Sequence, residues 1–221
     1  LISPKQCLAA AEFELKRPVF EFPPDALVWV SELIWREFYR HLLVAVPRLS
    51  KNRPFKLKTE NIKWRNNEFE IESFKRGSTG FPIIDAGILQ LKKTGWMHNR
   101  IRMIVAQFFT KNLLADWRIG EAFFMRFLID SDLASNNGGW QWSASTGTDS
   151  APYFRVFNPL SQGLAHDPEG EYVINYLPLL KSLKNKNRHS PWLAGGIAGY
   201  PEPIIDLNNT RARAIDTFKS L

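Results

Sequence analysis

Residues 25–46 read DALVWVSELIWREFYRHLLVAV, and this run constrains the fold more than any other stretch of the chain. Apolar residues recur at helical rather than strand spacing, so it predicts a long helix. Pro23 and Pro24 precede it, Asp25 can cap its amino end and Pro47 stops it. Ile34, Phe38 and Leu42 fall four apart and are expected to face the core. Glu32, Trp35, Arg36 and Tyr39 share another face that mixes acid, base and rings, with Glu32 and Arg36 spaced as an i, i+4 pair.

The same periodicity returns along the chain. WMHNRIRMIVAQFFTKNLLADW, residues 96–117, is apolar at helical spacing through Ile101, Val105, Phe108 and Phe109, and predicts a second long helix. Asn99 and Met103 lie four apart on one face of it, and Arg102 points elsewhere. A broken helical stretch carrying Trp64 is expected over 62–75. A short helix should open near Pro82 and stop near Gly95, and others are expected over 120–128, over 169–177 and at the carboxyl end. The basic, Pro-punctuated KNRPFKLKTE reads as a loop, and the glycine-rich, aromatic run over 129–163 as a long functional loop. Strand signals are nearly absent and no repeat is found. The expected class is all-α, a single non-repetitive helical domain.

Composition narrows the function classes. Hydrophobic residues at 44% and charged residues at 23% of 221 exclude a disordered chain. Cys7 is the one cysteine and there are four histidines, so neither a disulfide framework nor a Cys/His zinc site is expected. A reducing, intracellular setting is therefore expected. No apolar run is long enough to cross a bilayer, and the amino end, beginning at Leu1, carries no signal pattern. With Leu1 in place of an initiator Met, a fragment of a longer chain is expected. The net charge of +7 favours a polyanionic partner, and 8 Trp with 16 Phe add surfaces on which bases could stack.

Common catalytic patterns are missing: there is no GxGxxG, no GxxxxGK[ST] and no HExxH. GGIAG at Gly195 lacks a preceding strand and reads as a turn. The serines of SASTGT have no paired histidine and read as a hydrogen-bonded loop. The match to a glycosylation acceptor at Asn208 is discounted, because the rest of the sequence reads as intracellular.

SELIWREFYRH, GWMHNRIRM, DSDLASNNGGWQW and TGTDSAPYFRVFNP together resemble the flavin domain of class I cyclobutane pyrimidine dimer DNA photolyases, within the photolyase/cryptochrome family. The likeness runs from about Ser3 to beyond Tyr200. It implies a helical domain holding a folded FAD beneath a hole in a basic surface, into which the lesion is flipped. The reduced, anionic flavin, excited by light, would pass an electron to the dimer and recover it after the ring opens. Such chemistry belongs to the cofactor, with position and electrostatics supplied by protein.

The resemblance also assigns residues. Arg102 and Asp130 correspond to an ion pair beside the flavin, with Ser131 and Asp132 nearby and Trp29 as a further neighbour. Asn136 corresponds to the residue facing the reactive flavin nitrogen. Trp140, Trp117 and Trp64 correspond to a relay that carries electrons to a photoexcited flavin. Trp35 and Trp142 would wall the dimer pocket, Glu32 and Asn99 would hydrogen-bond the flipped pyrimidines, and Met103 would give an adaptable apolar contact. Arg36, Tyr39, Arg100, Arg155 and Gln162 lie at or beside positions that touch the DNA backbone. Asn99 with Met103 fits the cyclobutane class rather than the (6-4) class.

By the same likeness, the amino-terminal α/β domain with its antenna folate or deazaflavin, and the segment holding the FAD phosphates, precede residue 1. The expected partner is DNA containing pyrimidine dimers, with no membrane and no obligate protein partner. The expected location is the cytoplasm, or the nucleoid in a bacterium. A cryptochrome-type signalling flavoprotein is the alternative, and a helical nucleic-acid-binding module without cofactor a third reading.

Overall fold

The computed structural model describes residues 2–221. Ten α-helices joined by short 3-10 turns account for the architecture, and no strand occurs among the described residues. In chain order they are α1 (Pro4–Leu15), α2 (Pro24–Ala45), α3 (Glu68–Arg76), α4 (Pro82–Thr94), α5 (Asn99–Gln107), α6 (Trp117–Phe127), α7 (Leu133–Ser143), α8 (Pro159–His166), α9 (Glu171–Tyr176) and α10 (Leu207–Lys219). The all-α expectation holds.

Local chemistry fixes many of the ends. Pro24 opens α2, with Asp25 inside the first turn, where its charge complements the helix dipole instead of capping as expected. Pro82 opens α4 and Gly95, at φ 69°, closes it in the left-handed region. Asn67, Asp116, Asp132, Asn158 and Asp206 cap α3, α6, α7, α8 and α10 through side-chain oxygens.

The core gathers α4, α5 and the turns around them. Phe74, Phe81, Ile84, Ile88, Leu91, Ile104, Phe108 and Phe109 are fully buried there, together with Trp117 and Trp140. Gly87 allows α4 to approach α5, since a Cβ on it would stand 2.8 Å from Ile101.

Five expectations are corrected. The second long helix does not run straight: α5 ends at Gln107 and 108–112 widen into a π turn that buries Lys111 and Asn112. Residues 62–67 are not helical, and Trp64 sits in the link before α3. The helix expected from 120 begins earlier, at Trp117, where Asp116 caps it. The long loop over 129–163 contains α7 and α8. Finally, Ile34 is 64% and Phe38 39% exposed and Leu42 only half-buried, leaving Val30 as the one buried residue of α2. Periodicity tells which residues share a face, but what covers that face depends on tertiary neighbours. Here α2 lies on α7 through Tyr39 instead, whose ring fills the space over Gly138.

Candidate flavin and DNA site

The site is organised around the amino end of α7. Arg102, from α5, grips Asp130 with Nη2 at 2.8 Å and 3.1 Å from the two carboxylate oxygens. Its Nε donates to the Met97 carbonyl at 2.7 Å, which fixes the guanidinium plane. The pair is only partly covered, so its charges remain open to a ligand. Two residues on, Asp132 caps α7 by accepting from the Ser135 N–H and hydroxyl, and pairs with Arg40 of α2 at 3.0 Å. Burial opposes ionisation of Asp132, but the Ser135 donors and Arg40 outweigh it and hold the carboxyl below its usual range. Ser131, between them, is exposed.

One turn into α7, Asn136 donates from Nδ2 to the Glu121 carbonyl of α6 at 2.9 Å. The Glu121 side chain is itself buried with Oε1 unpartnered, and burial pushes its carboxyl upward against the opposing effect of Asn136. Four residues after Asn136, Trp140 points into the core at 2% exposure, edge-on to Phe124 (4.9 Å) and Phe109 (5.7 Å). Its ring lies against Gly120 of α6, one turn from Trp117, which is 1% exposed with the Arg118 guanidinium 5.0 Å above its ring. Trp64 is half-buried and edge-on to Phe218 at 6.2 Å. The three indoles thus pass from the core to the half-buried edge of the molecule.

The other sequence-predicted residues spread over neighbouring elements. Trp29, Glu32 and Trp35 are exposed on α2. Arg36 pairs with its neighbour Glu37 rather than with Glu32. Tyr39 is half-buried under Trp35 and against Gly138, and burial, then Asp149, pushes its phenol up. At the start of α5, Asn99 is exposed, Arg100 donates its N–H to the His98 ring that caps the helix, and Met103 is half-buried. Trp142 and Gln162 are half-buried and Arg155 is exposed. Both α2 and α5 pack on α7, but no hydrogen bond joins Glu32 to Asn99 and no ring contact joins Trp35 to Trp142 among the described residues.

Sequence reasoning passed over three residues: Arg40, Glu121 and Trp96, an exposed indole immediately before Met97. The contact of Arg40 with Asp132 spans 92 positions, and no spacing rule reaches that far. No group of His, Cys, Asp and Glu able to hold a metal occurs among the described residues. None of the described helices is long and apolar enough to cross a membrane.

The family described as "FAD binding domain of DNA photolyase" matches residues 29–220. A deoxyribodipyrimidine photo-lyase from Escherichia coli (strain K12) is 48% identical over 229 residues, covering 99% of this chain and 47% of the relative. One from Halobacterium salinarum is 43% identical over 209 residues, covering 88% and 42% respectively. Among solved structures, a bacterial class III photolyase from Agrobacterium tumefaciens aligns with a TM-score of 0.91 at 39% identity over 99% of this chain and 47% of that one. A cryptochrome from Synechocystis sp. PCC6803 aligns at 0.85 with 33% identity, over 98% and 46%. The chain spans about half the length of the curated relatives it matches. With helices and sequence agreeing over most of its length, the chain belongs to the family of FAD-binding domains of DNA photolyases.

Proposed function

We propose that this domain, within the longer protein, holds FAD and carries out light-driven repair of cyclobutane pyrimidine dimers in DNA, a carbon–carbon lyase reaction. The observation that carries the proposal is the arrangement on α7: a partly open Arg102–Asp130 pair at its amino end, the Asn136 amide one turn on, and the buried Trp140 one turn further. The residues present fit the ring end of a flavin. Trp29 and Trp96 offer exposed aromatic surface for flat rings, and Arg102 offers positive charge that Asp130 alone balances. FAD, when bound in its reduced, anionic form, would supply light-driven, reversible one-electron transfer to the dimer.

Around that chemistry the protein's residues position and polarise. Arg102 favours negative charge beside it. Asn136, with Nδ2 engaged by the Glu121 carbonyl, keeps Oδ1 free to accept a hydrogen bond from a ring N–H. Trp140, Trp117 and Trp64 would relay electrons inward to an oxidised cofactor. Trp35 and Trp142 stack against the extruded pyrimidines, each worth about 1–3 kcal/mol, while Glu32 and Asn99 hydrogen-bond them and Met103 fills the remaining apolar contact. Arg36, Arg100, Arg155 and Gln162 line the approach of the DNA backbone, with Tyr39 bracing α2 on α7. An antenna folate or deazaflavin would be held outside this chain, in the rest of the longer protein.

The test reduces the flavin of the full-length protein, adds a dimer-containing oligonucleotide and compares light with darkness. Restored thymines in the light alone are expected, and repair in both or in neither would overturn the proposal. Cryptochrome-type signalling is the second reading, favoured by the likeness to the Synechocystis cryptochrome. The set Trp35, Asn99, Met103, Asn136 and Trp142 speaks for repair.

A further inference from the structure

A cavity of about 610 Å³ opens between the segment following α2 and the turn following α7, within the usual size range of ligand pockets. Three basic residues, Arg48, Lys56 and Lys58, line it, and no acidic side chain does. Arg48 is committed to the loop, donating to the carbonyls of Phe55 and Pro54. Lys56 donates to the neutral Ser150 hydroxyl at 2.6 Å, so its charge is uncompensated, and Lys58 is exposed.

Behind the wall lies a fourth basic side chain. Lys111, in the π turn, is 0% exposed, donates to Ser145 Oγ at 2.7 Å and sits 3.5 Å above the Phe218 ring. Among the described residues it has no carboxylate partner. Burial and the charge of Lys56 push its ammonium down to about 7. A buried ammonium without a counter-ion is costly, and an anion nearby lowers that cost. Ser145 both touches Lys111 and lines the cavity. Phe55 and Tyr153 supply aromatic walls, and rings beside cations are the combination that takes a base and its phosphate together.

We propose that this cavity is a second, nucleotide-binding site, with the phosphate on Lys56 and Lys58 and the base against Phe55 and Tyr153. It stands apart from the Arg102–Asp130 site and does not depend on the flavin reading. Its floor is nonetheless tied to Trp142, because the N–H groups of Ser145 and Ala151 both donate to the Trp142 carbonyl. The nucleotide could come from solution or from a strand of bound DNA, and the experiment separates the two.

The test is calorimetric titration of the full-length, flavin-loaded protein in darkness with thymidine monophosphate, thymidine and inorganic phosphate. The nucleotide is expected to bind at least tenfold more tightly than either part. The double variant Lys56→Ala/Lys58→Ala, altered only at exposed side chains, is expected to lose at least tenfold, whereas Lys181→Ala, an exposed lysine that does not line the cavity, keeps the wild-type affinity. If an undamaged single-stranded oligonucleotide displaces the nucleotide and itself binds the double variant more weakly, the natural source is DNA; if it does not displace, the source is free nucleotide. Equal binding of phosphate and nucleotide, an unchanged double variant, or loss of binding with Lys181→Ala would each overturn the site. Failure of light-driven repair in the same preparation bears on the functional proposal alone.

Discussion

The Trp140 indole closes on Gly120 so tightly that a Cβ there would stand 2.1 Å from its Cη2 atom. Contact at that distance is forbidden, and the ring cannot retreat because Phe109 and Phe124 hold it edge-on from other sides. Gly120→Ala is therefore expected to destabilise the domain by about 1–3 kcal/mol, the usual cost of overpacking. Urea unfolding of the two proteins, followed by tryptophan fluorescence, measures it; an unchanged midpoint would mean that the indole has room to move.

Trp140 has no hydrogen bond to lose, since its Nε1 is buried and unpartnered. Trp140→Phe keeps an aromatic ring against Gly120 and removes the oxidisable indole. Photoreduction of the oxidised flavin is expected to fall at least tenfold, while repair by chemically reduced protein persists. Unchanged photoreduction would remove Trp140 from the relay.

Asp85 is buried at the start of α4 and accepts from the Thr79 N–H and hydroxyl, the Gly80 N–H and the Tyr200 hydroxyl. Burial outweighs these four donors and raises its carboxyl to about 6, above an unfolded value of 3.8. In the window between those two values the native protein binds the extra proton, so this group's contribution to stability falls as pH rises through it. Asp85→Asn is expected to flatten that component. It also turns an amide N–H toward groups that are themselves donors, costing about 1–3 kcal/mol. Denaturant midpoints across the window, compared between the two proteins, check both.

How much of this was legible in the sequence depends on how local each cause is. The α4 helix is bracketed by Pro82 and Gly95, two residues whose backbone preferences act within a turn, and it was readable. The α7 helix was not, because Gly138 and Gly139 resemble loop residues, and the reason for Gly138 is the Tyr39 ring, 99 positions earlier by the difference of their numbers. Nor did spacing pair Arg102 with Asp130, 28 positions on, a match supplied by family resemblance alone. The π turn hides for a similar reason: Lys111 reads as a polar helix face until Ser145 and Phe218 enclose it.

Arg155 offers a test of the proposed DNA contacts that leaves the proposed flavin site untouched. It is exposed, its backbone N–H turns back to the Pro152 carbonyl, and its guanidinium makes no ion pair among the described residues. A free, exposed guanidinium is suited to a phosphate, and each phosphate neutralised contributes about 0.9 to the slope of log affinity against log salt. Arg155→Gln should then weaken damaged and undamaged DNA alike and reduce the slope by about one. Binding isotherms from low to moderate salt give the slope directly. Because nothing in the fold rests on this guanidinium, a weakened affinity cannot be blamed on unfolding, and an unchanged slope would place the DNA backbone elsewhere.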